Sequence, residues 1–176
     1  YGLECGYTSY TANRGMMELR EEIAYHYEQE YETRYDPATD ILVTVGVSEA
    51  LDLAMRAVLA TGDEVLIPEP CYVSYQACTI LAGGVPVSVP TKLENEFRIT
   101  PDELEQYVTD RTRVLLIGYP NNPTGAVMER TDLLAIAKFA EKHDLIVISD
   151  EIYGDLTYGD EKHIAFSSLP NMQERT

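Results

Sequence analysis

The sequence has few cysteines, scattered histidines and no long apolar run, and each scarcity excludes a class of protein. Its three cysteines form no CxxC pair, which predicts reduced thiols in a reducing compartment. The three histidines lie too far apart to show metal-ligand spacing. No apolar run approaches the length that crosses a bilayer, and no signal peptide opens the chain. Because the first residue is Tyr1, we expect the chain to be cut from a longer protein.

Basic residues are also scarce, with 13 Lys and Arg against 30 Asp and Glu, a net charge of −17 and a pI near 4.4. This balance argues against nucleic acids and anionic membrane surfaces as partners, since both are polyanions. Apolar residues make up 45% of the 176 positions, enough for a core. We therefore expect a soluble, cytoplasmic globular protein.

Strand and helix signals alternate along the chain and predict an α/β fold, with a mostly parallel sheet flanked by helices. Predicted helices span about 15–35, 48–60 with Ser48 as N-cap, 73–81, a short stretch from the capping box at 100–103, and 131–143. Five apolar runs predict buried strands: ILVTV (41–45), EVLIP (64–68), VPVSVP (85–90), VLLIG (114–118) and LIVIS (145–149).

The segments that follow four of these strands carry residue types suited to a charged aromatic ligand. Ligands of open parallel sheets bind beyond the carboxyl ends of the strands. GVSEA would place backbone N–H groups and the Ser48 hydroxyl at a helix start, which suits an anion, although Ser at an N-cap is common for structural reasons alone. Tyr72 could lie flat against a ring or simply pack in the core. Asn122 lies in YPNNPTG, and DEIY supplies Asp150 and Tyr153.

Two nucleotide-binding interpretations fail on what the sequence lacks. An apolar run followed by Asp-Glu fits a Walker B strand, but no glycine is followed by lysine, so no phosphate-binding P-loop is present. GxGxxG is absent as well. A ligand with a phosphate, a flat ring and polar ring atoms fits all four segments, and pyridoxal phosphate (PLP) has these parts. A carboxylate keeps its pyridine nitrogen protonated, and amide and phenol groups bond its ring hydroxyl.

With NNPTG followed by SDEIY, the sequence resembles the class I/II aminotransferases of fold type I, and the likeness begins at YTANRGMMELREEIA. The resemblance implies a PLP-transferase large domain and assigns eight residues to the cofactor. Asn122 and Tyr153 would bond the ring hydroxyl, Asp150 the pyridinium, and Tyr72 would stack on the ring. Val47, Ser48 and Glu49 would cradle the phosphate, and Tyr10 would reach the phosphate of a neighbouring subunit, which implies a homodimer.

The family's catalytic lysine, which forms the Schiff base with the cofactor, has no counterpart in this sequence. None of the chain's four lysines, Lys92, Lys138, Lys142 and Lys162, stands in a Ser-x-x-Lys-like segment beyond SDEIY. We therefore expect residues 1–36 to form an N-terminal arm and helix, and residues 37–176 to form an incomplete PLP-binding large domain that ends before the lysine. Alone, this chain is predicted to be inactive.

The resemblance implies transfer of an amino group between an amino acid and a 2-oxo acid, and leaves the amino acid open. Carbon–sulfur β-lyases of the same fold usually carry His where this chain has Tyr153. Aminocyclopropane-carboxylate synthases are more distant. A PLP-binding regulator would be fused to a basic DNA-binding segment, which this sequence lacks. A purely structural module would leave the ordered set of cofactor residues unexplained.

Overall fold

The computed structural model describes residues 1–158 and 162–176, and these fall into two compact units, Tyr1–Val45 and Gly46–Thr176. The first unit contains helix α1 (Met17–Tyr31), which confirms the centre of the predicted helix at 15–35. The helix ends at Glu32, which adopts a left-handed conformation with φ 53°. Arg20 is buried, and its Nη1 donates to the carbonyl oxygen of Pro37 at 2.6 Å, which ties α1 to the segment that follows it.

The predicted strand ILVTV is wrong: residues 41–45 are described and form no strand. Leu42 is 51% exposed and Val45 88% exposed, so the segment is not buried either. Val43 N donates a backbone hydrogen bond to Arg14 O at 3.0 Å. A β-branched apolar run becomes a strand only when a neighbouring strand completes its ladder of hydrogen bonds. Such a neighbour is absent from the described part of the chain.

The second unit is built on a parallel sheet of four strands in the order β2-β1-β3-β4. The four predicted strands after residue 60 are therefore confirmed. Three connections each carry a helix from one strand to the next parallel strand, as such pairings require. The elements are α2 (Gly46–Val58), β1 (Glu64–Glu69), α3 (Ser74–Leu81), β2 (Val85–Pro90), α4 (Pro101–Glu105), β3 (Thr112–Gly118), α5 (Arg130–Lys142) and β4 (Ile146–Asp150), with short 3-10 turns at Leu93–Asn95, Gly154–Leu156 and Phe166–Ser168.

Both faces of the sheet are covered, which explains why its strands are apolar without polar alternation. Successive residues of a strand point to opposite faces. Val114 and Leu116 of β3 accordingly pack in a cluster with α2 and α3, whereas Leu115 and Ile117 pack with α5 and with Phe166. The sheet is thus fixed between two helical layers, and the carboxyl ends of its strands open on one edge.

Helix α2 begins earlier than the sequence indicates, because Gly46 with φ +77° makes the turn into the helix. Ser48 is therefore in the first turn and is not the N-cap, which corrects that prediction.

The capping box at residues 100–103 is confirmed: Thr100 Oγ1 accepts from Glu103 N at 3.3 Å, and Glu103 Oε2 accepts from Thr100 N at 3.0 Å. Among the described residues, no helix has the length and apolar character to span a membrane.

Candidate functional site

A cavity of about 240 Å³ lies at the carboxyl edge of the sheet, between the start of α2, the start of α3 and the ends of β3 and β4. Parallel strands end at one edge, so segments distant in sequence converge there. Six of the eight residues that the sequence predicts for the cofactor line this one cavity. The lining consists of Gly46, Val47, Ser48, Tyr72, Tyr75, Pro120, Asn122, Asp150, Ile152 and Tyr153.

The first turn of α2 forms one wall of the cavity through Gly46, Val47 and Ser48. The first four backbone N–H groups of a helix lack partners within the helix, and the helix dipole makes this end attractive to anions. The Ser48 hydroxyl lies 3.4 Å from the Tyr72 hydroxyl. Glu49 is exposed and is not part of the cavity wall, so its predicted contribution is limited to its place in the same helical turn.

Two tyrosines from the start of α3 form the aromatic part of the cavity. The Tyr72 and Tyr75 rings meet edge to face, with centroids 5.8 Å apart and planes at 84°. Tyr72 is partly exposed, and hydrogen bonding to the hydroxyls of Ser48 and then Ser74 lowers the pKa of Tyr72 below its ordinary value. Tyr72 thus presents an accessible ring to the cavity, while Tyr75 is only 4% exposed.

Asp150, the last residue of β4, contributes the carboxylate of the site. Its Oδ2 accepts a hydrogen bond from the Tyr75 hydroxyl at 2.8 Å, and its Oδ1 accepts a longer one from Ile152 N at 3.3 Å. A carboxylate has about four lone-pair sites, so Asp150 can still bond a ligand. Burial, and then the Asp150 charge, raises the pKa of Tyr75 far above its ordinary range, so its hydroxyl remains a donor.

Tyr75 lines the cavity although no sequence motif assigns it to the site. In the sequence it follows Tyr72 by three positions, and it could be taken for one more packing tyrosine among the 13 in the chain. Residues three apart in a helical turn lie on the same face. The spacing of the two tyrosines therefore indicates that both side chains belong to one wall of the cavity. The hydrogen-bond partner of Tyr75, Asp150, is 75 residues away, and no local sequence pattern predicts that contact.

The turn after β3 assigns different surroundings to its two asparagines. The Asn121 side chain faces into the turn: its Oδ1 accepts from Thr124 Oγ1 at 2.8 Å and its Nδ2 donates to Gly118 O at 3.2 Å. The backbone closes the turn, since Gly125 N donates to Asn121 O at 2.8 Å with Gly125 at φ +74°. Asn122 is exposed and lines the cavity. One asparagine thus supports the turn while the next is presented by it.

Hydrogen bonds to the Glu151 side chain hold the segment that carries Tyr153. The Glu151 carboxylate accepts hydrogen bonds from Ser149 Oγ at 2.7 Å and from Phe166 N at 2.8 Å. It also pairs with His163 Nε2 at 3.1 Å, and both side chains are at most 15% exposed. Phe166 is part of the core, so these bonds connect the segment after β4 to the buried cluster on the α5 side of the sheet. Tyr153, 37% exposed, stands at the mouth of the cavity.

Tyr10 belongs to the first unit and is fully exposed, so its predicted contact with a neighbouring subunit stays a prediction. The four lysines are all exposed, and none lines the cavity. Within the described ranges, no group of three or more His, Cys, Asp or Glu side chains could hold a metal ion.

The cavity thus combines a helix start, an aromatic ring, an amide and a carboxylate at the carboxyl edge of a parallel sheet, which is where open parallel sheets bind their ligands. The family to which the chain belongs is aminotransferase class I and II, whose model matches residues 3–176. The four-stranded parallel sheet with its helices is correspondingly part of the large domain of fold type I, as the sequence resemblance implies.

Curated relatives match nearly the whole chain but extend well beyond it. The chain is 50% identical over 174 residues to an aspartate aminotransferase of Pyrococcus abyssi, and 48% identical to aromatic-amino-acid aminotransferase 2 of Thermococcus litoralis. Each match covers 99% of this chain and 45% of the relative. A crystal structure of an aromatic aminotransferase from Pyrococcus horikoshii matches with a TM-score of 0.95 at 49% identity, over 97% of this chain and 46% of that one.

Proposed function

We propose that this chain is the cofactor-binding part of a PLP-dependent aminotransferase, which transfers an amino group between an amino acid and a 2-oxo acid. The observation that carries the proposal is the single cavity in which Ser48, Tyr72, Asn122, Asp150 and Tyr153 meet. The resemblance assigns these residues to four parts of the cofactor, with Asn122 and Tyr153 sharing the ring hydroxyl, and packing alone does not require that they converge.

The residues present fit the cofactor in charge and in hydrogen-bonding capacity. The start of α2 would bind the phosphate through its backbone N–H groups and the Ser48 hydroxyl. Asp150 retains free acceptor capacity for a protonated ring nitrogen, and Asn122 and Tyr153 can donate to a ring oxygen. When bound, PLP would supply an electron sink for the substrate.

Within this proposal the polypeptide contributes binding and electrostatics. Asp150 would hold a proton on the ring nitrogen, which keeps the ring electron-poor, and Tyr72 would limit the ring to one plane. The catalytic lysine, which we place beyond Thr176 in the intact protein, would move the proton at the substrate α-carbon. The chain spans about 45% of the relatives it matches, so this part of the machinery is proposed from the family.

We also propose that the intact protein is a cytoplasmic homodimer in which Tyr10 contributes to the neighbouring subunit's site. All three cysteines are free, which agrees with a reducing compartment. The two relatives are named for different substrates, aspartate and aromatic amino acids, so the proposal for this chain stays with amino acids as a class. Tyr153 favours an aminotransferase over a β-lyase of the same fold.

The test uses the intact protein loaded with PLP, an amino acid donor and a 2-oxo acid acceptor. We expect the donor's 2-oxo acid to form beyond one equivalent per site only when the acceptor is present. We also expect kcat/KM to fall about 100-fold or more in Asp150→Asn. The 176-residue chain should give no turnover. Release of ammonia without an acceptor would indicate a β-lyase, and PLP binding without any turnover by the intact protein would indicate a regulator.

A further inference from the structure

The contact between Tyr75 and Asp150 joins the first turn of α3 to the end of β4 across the floor of the cavity. The Tyr75 hydroxyl donates to Asp150 Oδ2 at 2.8 Å, and the tyrosine is 4% exposed. Tyr75 belongs to the same buried cluster as Val65, Val114 and Leu116, and its ring is the apolar part that it contributes there. The hydroxyl has a separate consequence, since it restricts the rotation of the Asp150 carboxylate. Among the described residues, the other hydrogen bond to this carboxylate is the longer one from Ile152 N.

Gly118, the last residue of β3, leaves room for this hydroxyl. A Cβ placed on Gly118 would lie 2.4 Å from the Tyr75 hydroxyl oxygen, closer than real Cβ contacts allow. The next atoms of Tyr75 are 3.4 and 3.6 Å away, which is ordinary van der Waals contact. Gly118 does not have positive φ, so its backbone does not require glycine. Glycine is required at this position because the Tyr75 hydroxyl oxygen occupies the space that a Cβ atom would fill.

We propose that the Tyr75 hydroxyl is a positioning group that fixes the orientation of the Asp150 carboxylate toward the cavity, and that Gly118 is needed to admit it. The inference rests on the proposed function, since the orientation matters only if Asp150 bonds a ligand. The hydroxyl is a reliable donor because burial and the neighbouring carboxylate keep Tyr75 protonated. Tyr75 itself acts through Asp150, while Tyr72 and Asn122 face the ligand directly.

The experiment combines the two residues in a double-mutant cycle on the intact protein. Tyr75→Phe removes the hydroxyl and keeps the ring, whereas Gly118→Ala keeps the hydroxyl in the protein but displaces it from its position beside Asp150. PLP affinity and the absorbance spectrum of bound PLP are measured for wild type, both single variants and the double variant. We expect each single variant to weaken PLP binding on the order of tenfold and to change the spectrum, because a hydrogen bond to a charged group is lost.

The cycle is informative because the effects of the two substitutions on PLP affinity should not be additive. Once the hydroxyl is absent, the alanine Cβ meets only ordinary contacts, so Gly118→Ala should weaken binding by less than about threefold in the Tyr75→Phe background. Tyr119→Phe is the matched control. Tyr119 is also buried, its hydroxyl donates to Phe97 O at 3.0 Å on the opposite layer, and its loss should reduce stability in urea without changing PLP affinity.

The outcomes separate this inference from the proposed function. Wild-type protein that does not bind PLP would defeat both. Wild-type binding with an unchanged affinity and spectrum in Tyr75→Phe would defeat the positioning role alone, as would equal effects of Gly118→Ala in the two backgrounds. If Tyr75→Phe does not fold, Gly118→Ala decides by itself: a folded protein with normal PLP affinity and spectrum would overturn the inference.

Discussion

At the scale of single residues, the two adjacent asparagines of the turn after β3 have separable tasks. Asn121 holds the turn through its hydrogen bonds with Thr124 and Gly118, whereas Asn122 is exposed to the cavity. The sequence assigns Asn122 to the cofactor by resemblance but gives no role to its neighbour. The direction of each side chain is decided by the closed turn, which the prolines and Gly125 make possible.

We therefore predict opposite phenotypes for the two alanine variants. Asn121→Ala should lower the free energy of unfolding by about 1–2 kcal/mol, because it leaves turn donors without an acceptor. Asn122→Ala should leave stability within about 0.5 kcal/mol of wild type and weaken PLP binding. Urea unfolding without cofactor and a PLP titration measure the two effects. Equal stability losses in both variants would contradict the division of tasks.

Glu64 at the start of β1 is a buried carboxylate that should make stability depend on pH. It is 4% exposed and accepts hydrogen bonds from Thr109 Oγ1 at 2.5 Å and from Arg111 Nη2 at 2.7 Å. The bond from Thr109, followed by those from Arg111, lowers the pKa of Glu64 below its ordinary value of 4.5. A lowered pKa stabilises the folded state at pH values above this ordinary pKa, and the stability is lost as the pH falls through the folded pKa.

The corresponding variant is Glu64→Gln, which keeps the shape of the side chain and removes its charge. At pH 7 we expect the variant to be less stable than wild type by about 1–2 kcal/mol, because the hydrogen bonds from Arg111 no longer meet a charged acceptor. The loss stays in this range because Arg111 is 73% exposed and water can solvate its charge. Between about pH 5 and pH 3 it should lose less stability than wild type. Urea unfolding across this range measures both. Glu105→Gln, at an exposed carboxylate paired with Lys142, is the control and should have a smaller effect.

At the scale of secondary-structure elements, local chemistry defines the short helix α4. Thr100 and Glu103 bond each other's backbone, and Pro101 starts the helix with a suitable φ. Thr100→Ala should reduce stability by about 1 kcal/mol, whereas Thr100→Ser keeps an oxygen at the cap and should stay close to wild type. Thermal or urea unfolding of wild type and the two variants measures these differences in stability. A serine variant as unstable as the alanine variant would show that the threonine methyl group, and not the cap, is responsible.

The elements that the sequence predicts well are those whose signals are local. The capping box, the apolar runs of β1 to β4 and the periodicity of α5 each depend on neighbours within a few residues. ILVTV has the same local signals as the true strands, yet residues 41–45 form none, because pairing with another strand is a non-local condition. The bond between Tyr75 and Asp150 escaped prediction for the same reason, since only the folded sheet brings these residues together.

At the scale of the whole molecule, the chain carries far more acidic than basic residues, with a net charge of −17. Self-repulsion between like charges destabilises a compact state, and dissolved salt screens it. Several of the acids, among them Glu18, Glu21 and Glu22 of α1, are exposed. Their repulsion acts at long range through solvent, so it is a property of the whole chain and cannot be assigned to one contact.

We predict that sodium chloride raises the thermal midpoint of the chain. Between about 10 and 150 mM salt the screening length falls from about 30 to 8 Å, which removes most long-range repulsion. A gain of about 1 kcal/mol would raise the midpoint by about 2–4 °C for a chain of this size. Calorimetry with sodium and potassium chloride measures the rise, which should be the same for both salts if screening is its cause. A triple variant, Glu18→Gln, Glu21→Gln and Glu22→Gln, begins with less repulsion, so salt should raise its thermal midpoint by a smaller amount. An equal rise would mean that the unfavourable repulsion arises elsewhere on the surface.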